Sequence, residues 1–426
     1  VTTGANVDEP HYKRTTCRLC DHEKLDLRLQ LGDSPVGGAF VDRDRLNKVQ
    51  ERYPLDLYQC RNCGHVQLLD VVNPEILFGD DYSYFSGRSG LVSHFAKYAD
   101  RVLTANALPT GSFVVDVGSN DGAFLMCFKG KGMRVLGIDP AANVAEFANA
   151  VGVETLPVMF DLAAATKIRR DYGAADIVTA NNVFAHTDDM QGMLESVRTL
   201  LAKDGLFYFE VSYLLDVVEK MILGAIFHEH LCYHTVKPLV SFLARHGMEL
   251  VDVERVPIQG GSLICAVQHL GGKHQIMPSV TDLITLEESL GVYRDGFFSA
   301  FRDRLAEVKS GLQRLVLEIG ERGEHIAAYG AARGGTLITY LFDLGPYIEY
   351  IVDDDVHKQG LFSPGHHIPV VPLMELYERK PDYVIILAWV HSKAIIEKSR
   401  KYLESGGRFI TFFPSIEVVD RPRPAQ

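Results

Sequence analysis

Residues 113–122 read Phe113-Val114-Val115-Asp116-Val117-Gly118-Ser119-Asn120-Asp121-Gly122. An apolar run of strand length carries one acid near its end and stops at a Gly-containing turn, after which helical periodicity starts near Ala123. In open α/β sheets ligands bind outside the carboxyl ends of strands, and Gly118 lets a backbone approach a ligand closely. The turn is not GxGxxG and lacks its pyrophosphate cradle; an acid at the strand end suits an ammonium better than a phosphate. Outward from this stretch, residues 134–138, 176–179 and 206–211 read as further strands, with helical patterns at 143–150 and 190–201 between them. That alternation predicts a mostly parallel sheet. The second strand ends in Asp139-Pro140, an acid placed to accept both hydroxyls of a ribose. Residues 176–179 lead into Asn181-Asn182-Val183-Phe184-Ala185-His186-Thr187-Asp188-Asp189, whose polar groups are expected at the reactive end of a bound cofactor.

The chain has 426 residues, 47% of them hydrophobic and 23% charged, which excludes a disordered chain and allows several cores. Its formal net charge of −12 argues against a nucleic-acid or anionic-membrane binder. No apolar run approaches the roughly 20 residues of a membrane span, and residues 1–13 are polar, without a signal-peptide core. A cytoplasmic protein is expected. Nothing in the sequence sets the oligomeric state, for which a monomer is the default.

Cys17-Arg18-Leu19-Cys20 and Cys60-Arg61-Asn62-Cys63-Gly64 are two CxxC knuckles. Zinc takes four ligands on a tetrahedron, and two such turns close that shell with thiolates, leaving no open position for catalysis. A structural zinc is therefore expected on Cys17, Cys20, Cys60 and Cys63, with a β segment inserted at 27–58. His22 and His65 are weaker alternative ligands. Cys127, Cys232 and Cys265 read as buried small hydrophobes.

Ile226-Phe227-His228-Glu229-His230-Leu231-Cys232-Tyr233-His234 concentrates three histidines and a glutamate. The favoured reading is a general base, since histidine titrates near neutrality and can take a proton from a carbon beside a ketone. Chelation of a metal by His-x-His and a polar loop with satisfied histidines are the alternatives; the zincin motif HExxH is absent. Gln259-Gly260-Gly261-Ser262 reads either as a loop around an anion or as a plain hairpin turn.

The Asp116–Gly122 turn, Asp139 and the Asn181–Asp189 stretch, in that order, resemble class I methyltransferases, whose cofactor is S-adenosylmethionine. Added to the paired knuckles, Tyr82-Ser83-Tyr84-Phe85-Ser86-Gly87, residues 227–233, Ala328-Tyr329-Gly330-Ala331-Ala332-Arg333-Gly334 and the 358–365 segment, they resemble the nucleotide-sugar C-methyltransferases over nearly the whole chain. That family methylates C-3 or C-5 of dTDP-linked 4-ketosugars in branched deoxysugar biosynthesis, for antibiotics among other products. The resemblance implies an α/β fold in three parts: a zinc-binding β-rich domain (12–80), a Rossmann-like methyltransferase domain (81–280) and, after a helical linker (281–322), a smaller Rossmann-like domain (323–420). It puts the histidine base on His230, with Glu229 before it, and a second active-site histidine on His186. An active-site tyrosine falls on Tyr82 or Tyr84. Phe85, Ser86, Gly87, Asp116, Gly118, Asn120, Asp121, Gly122, Asp139, Pro140, Asn181 and Asn182 are expected on the cofactor. Phe227, Gly260, Gly261 and Ser262 are expected on the sugar, where Phe227 replaces the family tyrosine and Gln259 the family histidine.

The nucleotide sugar is expected on the side of the C-terminal domain, with Arg333 and Lys358 toward its diphosphate. His230 would remove the proton beside the 4-keto group and the enolate would take the methyl group, with a tyrosine and His186 aimed at the oxyanion. Two other readings compete: a methyltransferase acting on oxygen, nitrogen or another carbon, and a zinc-ribbon adaptor that is not an enzyme.

Overall fold

The computed structural model describes residues 9–78, 87 and 91–421. Two compact units divide the chain. One holds Val1–Asp26, Tyr58–Leu215 and Leu231–Tyr293; the other holds Leu27–Leu57, Asp216–His230 and Arg294–Gln426.

The first unit is built on a seven-stranded sheet. Its strands are β1 (Phe113–Val117), β2 (Arg134–Ile138), β3 (Thr155–Leu156), β4 (Ala175–Asn181), β5 (Leu201–Ser212), β6 (Met248–Val256) and β7 (Ser262–His269), in the spatial order β3-β2-β1-β4-β5-β7-β6. β1 to β5 run parallel to one another, and β7 runs antiparallel to both β5 and β6. All five residues of β1 are buried, as a central strand covered on both faces requires. One cover is the helix Val92–Asn106, which buries Phe95, Tyr98, Ala99 and Val102 at helical spacing against Val114, Ile177, Leu206 and Tyr208 of the sheet. Each such side chain contributes roughly 1.5–3 kcal/mol of transfer free energy. The strand order reverses between β1 and β4, so the loops after them diverge and open a crevice at their carboxyl ends. The two knuckles belong to this unit, where His11–Lys13 pairs with Asp70–Val72 and Val66–Leu68 with Cys232–Tyr233.

The second unit repeats the principle in a smaller sheet. Five short parallel strands lie in the order Val370–Val371, Ile351–Val352, Ile326–Tyr329, Tyr383–Ile386 and Arg408–Thr411, and Glu417–Val419 closes one edge antiparallel. The helix Ser299–Glu321 buries Phe301, Leu305, Val308, Leu312, Val316 and Ile319 as one stripe.

Residues 27–57, between the two knuckles, and residues 216–230, after β5, pack within the second unit. The 281–322 linker is divided between the units after Tyr293, its helices Pro278–Ser289 and Ser299–Glu321 separated by a turn at Gly291 (φ +69°). In the second unit Pro346 lies in a 3-10 turn at Gly345–Tyr347, and the strand that follows is short, Ile351–Val352. No helix among the described residues is long and apolar enough to cross a membrane.

Candidate active site and metal centre

The two knuckles are built alike. Cys17 N–H bonds to the His22 carbonyl (3.0 Å) and Cys60 N–H to that of His65 (2.9 Å). Each turn ends on a residue with left-handed backbone, Asp21 (φ +56°) and Gly64 (φ +84°). Only the second needs glycine for space, since a Cβ there would lie 2.4 Å from the Tyr293 ring. The Sγ atoms of Cys17 and Cys63 are 3.6 Å apart, those of Cys20 and Cys60 3.5 Å, and all four fall within 4.8 Å of one another. A tetrahedron with Zn–S of about 2.3 Å has edges of about 3.8 Å, so the four sulfurs fit the ion. Neither His22 nor His65 is in the cluster.

The crevice at β1 and β4 collects the expected cofactor residues of the first unit. Thr179 Oγ1 donates to Asp116 Oδ1 at 2.5 Å. Burial, reinforced by the nearby Asp139 charge, still raises Asp116 to about 7, so a cation placed beside it would drive out its proton. Asp139 receives Asn120 N–H (2.9 Å) and Ala141 N–H (3.0 Å), one on each oxygen. Pro140 makes the turn that brings Ala141 round. Asp121 receives Gly87 N–H at 2.8 Å and Ala123 N–H at 3.2 Å. Gly118 (φ +70°) faces the loop after β4 so closely that a Cβ would stand 2.2 Å from Val183. Asn120 and Asn182 take left-handed backbone as well, at φ +50° and +55°, and Gly122 does so at +77°. Both amide atoms of Asn181 are buried without a partner among the described residues, as are the hydroxyl oxygen of Ser119 and no other atom of that turn. Buried polar groups are normally satisfied, so these atoms are exceptions in the loops after β1 and β4.

In the second unit the His228-Glu229-His230 run is fixed side chain by side chain. His228 Nε2 bonds to the Tyr53 carbonyl at 3.0 Å. Glu229 forms an ion pair with Arg333. His230 Nδ1 lies 2.7 Å from the Ala225 carbonyl, an oxygen that only accepts, so Nδ1 carries the proton and Nε2 is the basic nitrogen. Burial pushes the His230 imidazole down to about 4, helped by the Arg333 charge. Phe227 stacks on His230 with ring centres 4.0 Å apart.

Other expected residues fall elsewhere. His186 lies in the loop after β4, its N–H on the Val183 carbonyl at 2.8 Å. Gly260 and Gly261 lie in the turn joining β6 to β7, and Ser262 opens β7 opposite Val256. Tyr82, Tyr84, Phe85 and Ser86 lie outside the described residues. Arg333 and Lys358, expected toward a diphosphate, have protein partners: Arg333 pairs with Glu229, and Lys358 Nζ donates to the Ala331 carbonyl at 2.9 Å. Sequence reading missed two side-chain pairings of the first unit, one an ion pair and one a hydrogen bond. Asp188, in the loop after β4, is held by buried Arg18 of the first knuckle at 2.8 Å. His94 Nε2 sits 2.6 Å from buried Glu210 at the carboxyl end of β5. Neither partner stands near the other in sequence, and no motif links them.

Three protein-family models match the chain. Residues 17–78 match one described as "Putative zinc binding domain", 92–253 a methyltransferase domain and 257–414 a C-methyltransferase C-terminal domain. The chain is 34% identical to the C-methyltransferase NovU of Streptomyces niveus, over 95% of its own length and 96% of the relative's. It is 25% identical to a ubiquinone biosynthesis O-methyltransferase of Burkholderia thailandensis, over 36% of this chain and 72% of that one. Among solved structures, magnesium protoporphyrin IX methyltransferase from Synechocystis with bound S-adenosylhomocysteine aligns at a TM-score of 0.33 and 18% identity, covering 46% of this chain and 91% of that one.

Proposed function

Because the chain belongs to the S-adenosylmethionine-dependent C-methyltransferases that carry an N-terminal zinc-binding domain, we propose that its acceptor is a nucleotide-linked 4-keto-deoxysugar. The nucleotide is dTDP, the methylated carbon is C-3 next to the ketone, and the product is a branched deoxysugar of the kind used in antibiotics. The observation that carries this reading is the state of His230. A buried imidazole with Nδ1–H tied to a carbonyl and its acidity pushed to about 4 is neutral at pH 7. A neutral ring held in one orientation is what a general base requires.

His230 then removes the proton on the carbon beside the ketone, and the electron pair moves into an enolate. Adenosylmethionine, held on the first unit's strand-end acids, would supply the sulfonium methyl group for that carbon and leave as S-adenosylhomocysteine. Asp116 receives the cofactor's ammonium and Asp139 its ribose hydroxyls, using lone pairs that their present partners leave. His186 and Tyr82 or Tyr84 donate to the enolate oxygen, where developing charge is stabilised most. Four thiolates committed to zinc fit a reducing cytoplasm. Mass spectrometry of products from a panel of nucleotide 4-ketosugars tests the proposal. A gain of one methyl on the sugar carbon, with deuterium entering that carbon from D₂O in the absence of adenosylmethionine, is expected. Methylation of an oxygen or nitrogen, or no deuterium exchange on any ketosugar, would overturn it.

A further inference from the structure

Within the first unit, the loop after β4 (182–189) is gripped by both knuckles. Arg18 lies inside the first, between Cys17 and Cys20, and its side chain is fully buried. Its Nη1 donates to Gln67 Oε1 at 3.3 Å and to the Leu68 carbonyl, and its backbone N–H donates to Gln67 Oε1 at 3.0 Å. The guanidinium is thus fixed by the knuckle's own surroundings, and its Nε donates to Asp188 Oδ1 at 2.8 Å. The other Asp188 oxygen takes Arg14 Nη1 at 3.2 Å and the Tyr12 hydroxyl. Three protein donors occupy a carboxylate that was expected at the cofactor's reactive end. The second knuckle reaches the same loop by ring packing. His65 follows Cys63-Gly64, its ring centre lies 5.4 Å from that of His234, and His234 stacks on Phe184 at 5.8 Å. All three residues are fully buried. Between these two points Cys232 N–H donates to the Ala185 carbonyl at 3.1 Å, and Cys232 itself pairs with Gln67.

We infer that Arg18 and Asp188 are positioning residues for methyl transfer: through this ion pair the first knuckle fixes the loop that presents Asn182 to the cofactor and His186 to the enolate oxygen. This rests on the reading of that loop proposed above. Four thiolates that fit one zinc make the knuckle a rigid post. A directional charge-assisted bond from that post allows the loop one placement, where apolar contact alone would let it slide. The precision matters, because a misplacement of about 1 Å costs about 10²-fold in rate.

The test uses the full-length enzyme, each variant first shown to hold about one zinc per chain. Arg18→Met should slow deuterium exchange at the acidic sugar carbon by about 10²-fold at saturating sugar, with the KM for the nucleotide sugar near its wild-type value. Amide hydrogen exchange at 182–189 should rise while that at the four zinc cysteines stays put. A variant that melts lower yet exchanges the sugar proton at the wild-type rate makes the pair merely structural and overturns the inference. Asp188→Ala should cost about as much as Arg18→Met, and the double variant no more than the worse single one. Losses that multiply mean that the two residues act separately, and they overturn the inference as well. Where Arg18→Met does not fold or loses zinc, Asp188→Ala decides, since it leaves the knuckle untouched; sugar-proton exchange at the wild-type rate in that variant overturns the inference. If His186→Gln exchanges at the wild-type rate, the reading of the loop fails and the inference with it; if His186→Gln is slow and only the Arg18 and Asp188 variants behave as wild type, the positioning role alone fails.

Discussion

His230 and His228 are two residues apart and have different work. His228 is spent on the Tyr53 carbonyl, joining 216–230 to 27–57 inside the second unit. His230→Asn or His230→Ala should therefore lower turnover by about 10²–10⁴-fold, the usual worth of a general base, and stop deuterium exchange. His228→Ala should keep exchange while lowering thermal stability. Exchange lost in the His228 variant and kept in the His230 variant would reverse the assignment. The same burial sets a pH dependence of stability. A histidine with a folded-state value of about 4 binds its proton more readily in the unfolded chain, where the value is about 6.5. Its contribution is fully present above about pH 6.5 and is lost as pH falls toward 4. Thermal melts of wild type should drop through that window more steeply than those of His230→Gln, measured at matched ionic strength.

Among the elements, the strand-end acids carry the cofactor assignment, and they give separable predictions. Asp139→Ala removes an acceptor for ribose hydroxyls and also releases Asn120 N–H and Ala141 N–H, so the turn after β1 loses its anchor. The loss of a hydrogen bond to a charged group costs roughly 1.5–3 kcal/mol, and calorimetry should show adenosylmethionine affinity falling by at least about tenfold. Asp116 stands at about 7 before a cation arrives. Adenosylmethionine should consequently bind more tightly as pH rises from 6 to 8 and release part of a proton near pH 7, read from calorimetry in buffers of different ionisation enthalpy. Affinity independent of pH would remove the ammonium from Asp116. These acids were legible because β1 and β2 are apolar runs of strand length closed by an acid and a turn, and the structure gives both strands the bounds read from sequence. The fourth and fifth strands are longer than read, 175–181 and 201–212, because Ala, Asn and the polar start of β5 pair without an apolar signal. Glu229 and Arg333 illustrate what a sequence withholds: a salt bridge across 104 residues leaves no periodicity in either segment, so Arg333 looked like a cation awaiting a phosphate.

At the scale of the whole molecule, the chain passes between the two units five times, after Asp26, Leu57, Leu215, His230 and Tyr293. A contiguous sequence reading could not see this, since residues 27–57 lie between two knuckles and residues 216–230 directly follow β5. Their apolar and glycine-rich patterns say that they pack, not against what. Both segments have partners in the C-terminal part: Gly37 accepts from Thr336 at 3.2 Å, Gln50 accepts from Gly365 N–H at 2.7 Å, and Glu229 pairs with Arg333. The four zinc thiolates, in contrast, all belong to the first unit. A chain ended after Tyr293 should accordingly retain about one zinc and bind adenosylmethionine, while 27–57 and 216–230 lose their packing and are cleaved early in limited proteolysis. It should exchange no sugar proton, because His230 is held by the segment that has lost its support. Cys17→Ser or Cys63→Ser in the full chain should do the converse, lowering zinc content and the yield of folded protein, since closing the metal shell contributes directly to folding. If the shortened chain resists protease at both segments and exchanges deuterium normally, the two segments are stable without the C-terminal sheet, and the division of labour between the units is not the one drawn here.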